Sequence, residues 1–297
     1  MVDDVPPRFP RRAFLRAGFA ATTLRTEAAA PAGQPAATGE APFSGSAHVD
    51  VNVHLGAWPF RRLPYDDPAA FAQHLRSNGV TEAWCGSFEA LLHREPGGVN
   101  ERLAKDCASL SGSNLDTRPV GVINPALPGW RRDLEHCAGR LGMRAIRIYP
   151  NYHGYTLADP RFTDLLEAAA NQNLVIQIVA QMEDQRTQHP LVRVPPVDLA
   201  PLAAALEKAP AARIMVLNAS RTMSMTALRG VPVWLDIAML EGVGGIANLL
   251  ADGWPADRVV FGSHAPFFYL ESALLKLKES GLTRGQWNAI CHKNVPA

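Results

Sequence analysis

Two stretches of the sequence frame the fold. Residues 49–60 are VDVNVHLGAWPF, and residues 259–268 are VVFGSHAPFF. Each begins as an apolar, β-branched run typical of a buried strand and ends in polar residues. The first stretch carries Asn52 and His54 with one residue between them, and the second places His264 just after its last strand-like residue. Histidines at strand ends are typical of metal or acid–base chemistry, so the question is whether the rest of such a site is present.

Composition excludes several classes of protein. The chain has 297 residues, is 47% apolar and carries 29 Lys and Arg against 28 Asp and Glu. This near balance provides no basic surface for nucleic acid, which we exclude as a partner. No run reaches the ~20 apolar residues needed to span a bilayer, so we predict no integral membrane segment. The cysteines are widely separated and lack metal-binding spacing, which favours buried free thiols.

The N-terminal segment differs from the rest of the chain. Residues 10–24, PRRAFLRAGFAATTL, resemble a twin-arginine export signal, and residues 31–46 are rich in Pro, Ala, Gly and Ser. We therefore predict an export signal over 1–30, a disordered linker over 31–46 and one folded domain over 47–297. The protein would then be periplasmic, with the twin-arginine export machinery as a partner. A basic leader on a cytoplasmic protein is the alternative.

Strand-like and helix-like segments alternate from residue 47 onward. The strand-like runs are continuously apolar, as in parallel strands buried on both faces. They are Val49–Leu55, Thr81–Phe88, Pro119–Asn124, Met143–Tyr149, Leu174–Gln181, Arg213–Ala219, Val233–Met239 and Arg258–Ser263. Most of the segments between them predict amphipathic helices, and Asp67, Asp159 and Thr283 are the predicted N-caps of three of these helices.

A strand followed by a helix, repeated along the domain, predicts a (β/α)8 barrel of the TIM type. The doubly wound open sheet is the alternative architecture. That fold usually brings a glycine-rich phosphate loop after its first strand, and HLGAWPFRRL is not such a loop. We therefore predict the barrel.

The active site of a barrel lies at the carboxyl ends of its strands, so polar residues there are candidates. Buried polar groups cost free energy unless they form hydrogen bonds, so a ring of polar residues at the barrel mouth needs a structural or functional explanation. They are Asn52, His54, Ser87, Glu89, Asn124, Arg147, Tyr149, Gln177, Gln181, Asn218, Asp236, Ser263 and His264.

Five motifs carry a family resemblance over about residues 48–297. They are VDVNVHLGAWPFRRL, AIRIYPNYHGY, IMVLNAS, VWLDIAM and FGSHAPFF, in the first, fourth, sixth, seventh and eighth predicted strands. The sequence thereby resembles the amidohydrolase superfamily, in its amidohydrolase-related branch of barrel-fold, metal-dependent hydrolases and decarboxylases. The resemblance implies a divalent metal, usually zinc, that activates a bound water.

The ligand pattern that the resemblance implies is largely replaced. The family's His-x-His pair becomes Asn52 and His54, the histidine after the sixth strand becomes Asn218, and the aspartate after the eighth becomes His264. Amide oxygens are weak zinc ligands compared with His, Cys and carboxylate. We therefore expect either no required cofactor or one weakly bound divalent metal, most plausibly zinc, on His54 and His264.

Each candidate side chain has a functional and a structural interpretation. We assign His54, His264 and Asp236 as catalytic candidates, although buried, hydrogen-bonded histidines are the alternative for the first two. Arg147 is expected either to anchor a substrate carboxylate or to form an internal salt bridge with Asp184 or Asp236. The remaining candidates for substrate binding are Asn52, Tyr149, Gln181, Asn218 and Trp58.

Two functions remain open. The first is an enzyme that hydrolyses, or with less support decarboxylates, a small carboxylate-bearing or lactone-like substrate with a degraded or absent metal site. The second is a non-catalytic barrel that binds a small ligand or partner after losing its metal ligands. The two differ in whether the polar residues converge on an open pocket or are paired with one another. A homo-oligomer is compatible with both.

Overall fold

A computed structural model describes residues 47–112 and 114–297. The predicted export signal and linker lie outside these described residues. The strands are β1 (His48–Leu55), β2 (Val80–Ser87), β3 (Asp116–Pro119), β4 (Gly121–Val122), β5 (Ala145–Ile148), β6 (Val175–Val179), β7 (Arg213–Leu217), β8 (Trp234–Asp236) and β9 (Val259–Val260).

The strands form a closed parallel barrel. They pair in the orders β1-β2-β3 and β4-β5-β6-β7-β8-β9, every pair being parallel. Val120 separates β3 from β4, and its amide donates to Cys85 O at 2.8 Å, so these two pieces act as one barrel strand. The ends of the sheet close where the amide of Val51 donates to Phe261 O at 3.0 Å and that of His264 to Asn52 O at 2.8 Å. The (β/α)8 prediction is confirmed.

Helices follow most strands and cover the outside of the barrel. They are α1 (Pro68–Ser77), α2 (Phe88–Leu92), α3 (Pro96–Leu110), α4 (Trp130–Ala138), α5 (Pro150–His153), α6 (Pro160–Asn171), α7 (Leu202–Lys208), α8 (Arg221–Ala227), α9 (Gly245–Ala251), α10 (Leu270–Glu279) and α11 (Arg284–Asn288). A 3-10 turn (Ala256–Arg258) precedes β9, and a π-helical turn (Ala289–Lys293) follows α11.

All three predicted N-caps are present. The Asp67 carboxylate accepts from the amide of Ala70 at 2.7 Å and begins α1, and Asp159 does the same for α6. Thr283 begins α11 in a capping box with Gln286, each side chain accepting from the other residue's amide. Short polar side chains satisfy the free amides of a first helical turn, which is why sequence located these starts.

The third barrel strand begins earlier than predicted. β3 begins at Asp116, ahead of the predicted Pro119, because backbone pairing with β2 brings polar residues into the strand. Tertiary pairing overrides local composition there. After β2 the chain forms α2 and α3, and the buried residues Val99, Leu103 and Cys107 of α3 recur every four residues, as in an amphipathic helix.

Two apolar layers hold the barrel together. One lies between the sheet and the surrounding helices, and the other fills the barrel interior with side chains that include Val51, Trp84, Val122 and Met215. His48, the first residue of β1, is buried against Phe261. Within the described residues, no helix has the length and apolar character required to cross a membrane.

Candidate functional site

A bulge in β1 aims the candidate residues of this strand into the barrel. The pairing of β1 with β2 shifts register between Asp50 and Val53. Val51 therefore packs in the interior layer while its neighbour Asn52 also reaches buried polar groups of β7 and β8. β-Bulges redirect side chains in this way and are frequent beside functional sites.

Arg147 occupies the centre of the carboxyl end of the barrel. Its side chain is 0% exposed. Nε donates to Gln177 Oε1 at 2.8 Å, Nη1 donates to Val53 O at 3.1 Å, and Nη2 donates to Val51 O at 3.3 Å. The predicted salt-bridge partners are engaged elsewhere, since Asp184 pairs with Arg186.

The guanidinium also packs directly against the His54 imidazole. Nη1 of Arg147 lies 3.0 Å from His54 Nε2 and 3.5 Å from Nδ1, and the Tyr149 hydroxyl lies 3.1 Å from Nε2. The positive charge of Arg147 is therefore in contact with the ring and not aligned with the lone pair of one nitrogen. Burial, with Arg147 and His264 nearby, keeps the pKa of His54 well below its usual value, so the ring is neutral.

The second histidine, His264, is also surrounded by polar groups of the protein. His264 Nε2 lies 2.8 Å from Met182 O, a pure acceptor, so this nitrogen carries the proton. The side-chain nitrogen of Asn218 packs against the same ring, 3.3 Å from Nδ1 and 3.5 Å from Nε2. Burial lowers the pKa of His264 to about 3. The backbone here is left-handed, with φ at 60°, an uncommon conformation for histidine that this hydrogen-bond pattern holds in place.

Asp236 anchors the polar residues on the opposite side of the barrel. Its Oδ2 accepts from Asn52 Nδ2 at 2.7 Å, and its Oδ1 accepts from the amide of Asn218 at 2.8 Å. Asn52 Nδ2 also donates to Asn218 Oδ1 at 2.7 Å. Burial raises the pKa of Asp236 to about 7, against the opposing effect of these hydrogen bonds. The value lies in the range of a general base, but the carboxyl group is only 1% exposed.

Aromatic rings cover both histidines. His54 stacks on Phe88 with ring centroids 4.7 Å apart, and His264 stacks on Phe267 at 5.0 Å. Trp58 packs edge-on against both phenylalanines and is itself 4% exposed. Trp58, predicted to contact substrate, is therefore part of the layer of aromatic rings that packs on the two histidines.

An open cavity of about 940 Å³ lies beside this buried network. Its wall includes Arg61, Gln181, Glu183, Glu241, Phe268 and Lys276. Arg61 pairs with Glu183 at 2.8 Å and lies 4.3 Å above the Phe267 ring. Gln181 links the two regions, because its carbonyl accepts from Asn218 Nδ2 at 2.9 Å while the residue lines the cavity.

The predicted site residues thus fall into two groups. The structure brings together Asn52, His54, Arg147, Tyr149, Asn218, Asp236 and His264 in one buried network, and places Gln181 at the cavity. Sequence reasoning missed Asp50, whose Oδ1 accepts from the amides of Asn52 and Ser263 at 3.0 Å each. Its position two residues before Asn52 in the first motif was an available signal. Lys276, which lines the cavity, sits in an ordinary helical pattern that gave no signal.

Comparison with known proteins establishes the family. Residues 47–294 match the family described as Amidohydrolase, so the chain belongs to the amidohydrolase family. No curated protein matches the sequence.

Solved structures share the fold at low identity. A 5-carboxyvanillate decarboxylase from Novosphingobium aromaticivorans with bound manganese is 12% identical, with a TM-score of 0.66 over 84% of this chain and 96% of that one. A dihydroxybenzoic acid decarboxylase from Polaromonas with bound manganese is 12% identical, with a TM-score of 0.65 over 84% and 95%. A 2,6-dihydroxybenzoate decarboxylase from Rhizobium is 11% identical, with a TM-score of 0.62 over 83% and 97%. At these identities, the likeness concerns the fold.

The donor set of this chain does not fit the divalent metal that the family implies. His54 and His264 are both fully buried, with the Arg147 guanidinium packed against one ring and the Asn218 side-chain nitrogen against the other. Arg147 also places a positive charge where a cation would need to bind. Among the described residues, no group of three His, Cys, Asp or Glu side chains is arranged to hold a metal ion.

Proposed function

We propose that this amidohydrolase-family barrel binds a small carboxylate-bearing molecule in the cavity at the carboxyl ends of its strands, without a divalent metal. One observation carries the proposal. The groups that would perform the family's chemistry are 0–1% exposed and hydrogen-bonded to one another, while an open, charged cavity lies directly beside them.

The cavity wall suits a carboxylate attached to an apolar body. Arg61 uses one guanidinium nitrogen for Glu183, which leaves its other nitrogens for a ligand, and Lys276 lines the same space. Phe268 supplies an apolar surface beside them. Guanidinium and ammonium groups are the usual protein partners of carboxylates. The similar solved structures include decarboxylases of 5-carboxyvanillate and 2,6-dihydroxybenzoate, which are carboxylated aromatics and support the same ligand class.

Binding of benzoate to the full chain tests the proposal, with benzamide as the neutral control. We expect saturable heat of binding by titration calorimetry for benzoate and at least a tenfold weaker response for benzamide. Arg61→Gln should weaken benzoate binding by a similar factor. Arg140→Gln removes an exposed arginine that follows α4 outside the cavity and should leave binding unchanged. Equal affinity for benzoate and benzamide would contradict the proposal.

Metal-independent hydrolysis of a lactone-like ester is the second candidate function. The observation that favours it is the pKa of Asp236, raised to about 7 by burial, which suits a general base at neutral pH. Turnover of a lactone panel in the presence of a chelator, lost in Asp236→Asn while benzoate still binds, would support hydrolysis. Binding without turnover of any lactone would leave the protein as a ligand-binding member of the family.

A further inference from the structure

Lys276 is held at the cavity wall by two backbone carbonyls. It lies on α10, and its Nζ donates to Ile237 O at 3.1 Å and to Ala238 O at a short distance. Both carbonyls follow β8 directly, at the same end of the barrel as the buried network. The lysine is thus fixed at its tip, although lysine side chains are usually mobile in solvent.

This arrangement leaves one position on the nitrogen for a ligand. A neutral amine has two N–H groups and one lone pair, and the two carbonyls accept the two N–H groups. In the neutral amine, the lone pair is therefore not used in either hydrogen bond to the carbonyls. Lys276 also lines the cavity, where a ligand could approach it. Burial lowers the pKa of Lys276, against the attraction of Asp236 and Glu241, so the neutral amine is more populated than on an exposed lysine.

We propose that Lys276 condenses with the carbonyl group of a small oxo acid bound in the cavity to form an imine. The lysine nitrogen forms a bond to the carbonyl carbon, the carbon–oxygen bond breaks, and the oxygen leaves as water with two protons, both from the amine once it is neutral. Arg61, on the wall of the same cavity, binds the carboxylate of the oxo acid. This inference rests on the proposed binding of carboxylates and adds a reactive group to it.

Reductive trapping tests the inference on the full chain. Pyruvate and cyanoborohydride are added together, and the protein is analysed by intact mass and peptide mapping. We expect one adduct, on Lys276, with the mass of pyruvate less one oxygen atom. Mapping of the unaltered protein locates the adduct without depending on a variant that must fold. Absence of an adduct, or equal labelling of Lys276 and the exposed lysines, would overturn the inference.

A matched pair of variants sharpens the result. Lys278 lies on the same helix two residues further on and is exposed. Lys276→Met should lose the adduct, and Lys278→Met should retain it at the same rate. Retention of full labelling in a folded Lys276→Met variant would contradict the assignment.

Lactate separates failure of this inference from failure of the proposed function. Lactate carries the same carboxylate as pyruvate but a hydroxyl group in place of the carbonyl, so it binds without forming an imine. Lactate binding that depends on Arg61, with no pyruvate adduct, would overturn only the imine. Absence of binding by lactate, pyruvate and benzoate alike would overturn the proposed function.

Discussion

Arg147 shows how one side chain changes the chemistry of a whole site. Its guanidinium donates to backbone carbonyls and to the Gln177 side-chain oxygen, and it packs against the His54 imidazole. Gly86 makes the position possible, because a Cβ there would lie 3.0 Å from Arg147 Cζ and still closer to Nη1. Residue 86 is therefore a glycine because a larger side chain would clash with the Arg147 guanidinium.

A double-mutant cycle on these two residues tests their coupling. Arg147→Met should lower the free energy of unfolding by about 3 kcal/mol, because buried carbonyls lose their donors. Gly86→Ala should cost about 2 kcal/mol with arginine present and under about 1 kcal/mol with methionine. Methionine ends near the position of Arg147 Nε, which is 3.4 Å from the added Cβ. Urea unfolding of the four proteins measures the coupling, and additive effects would contradict the contact.

Asp236 should make stability depend on pH. Its pKa is raised to about 7 in the folded protein from 3.8, so the folded state holds the proton more tightly than the unfolded state. Its contribution is fully present below about pH 4 and is lost as pH rises through about 7. The stability of the wild type relative to Asp236→Asn should therefore fall between these values. Denaturant titrations of both proteins across that range test it, and a constant difference would show that Asp236 stays ionised.

At the scale of elements, the loop between β1 and α1 connects the barrel to the cavity. It carries Trp58 over the histidines and Arg61 into the cavity wall. Its far end is fixed where Asp67 caps α1. The near end is fixed where His54 and Leu55 pair with β2, so the loop is held at both of its ends.

Removal of the α1 cap gives a prediction at this scale. Asp67→Ala should lower the free energy of unfolding by about 1 kcal/mol, because the amide of Ala70 loses its acceptor. Gln73→Ala, an exposed position within the same helix, is the control and should have an effect within about 0.5 kcal/mol. Thermal unfolding followed by circular dichroism compares the two. A cap variant as stable as the control would show that the helix start is held by packing alone.

For the whole molecule, we predict that divalent metals do not change thermal stability, because His54 and His264 are buried and packed against donor groups. A ligand that binds only the folded state raises its stability in proportion to the logarithm of ligand concentration over Kd. We therefore expect manganese or zinc at millimolar concentration to leave the melting temperature unchanged within about 1 °C, and a chelator to have no effect. Metal analysis of protein purified without chelators is the companion measurement. One equivalent of bound metal would mean that Arg147 moves away from His54.

The barrel, most strand positions and three helix starts were predictable from the sequence, because these follow from local periodicity and capping chemistry. The sequence also located the polar strand ends, since chain order alone brings them to one end of a parallel barrel. The contacts of those residues could not be predicted in the same way, because they depend on how distant parts of the chain pack together. The partners of Arg147 lie on β1, β2 and β6, far apart in sequence, and the β1 bulge sets the directions of the residues from β1. The same holds for the cavity around Lys276, because loops and α10 from separate parts of the chain meet there.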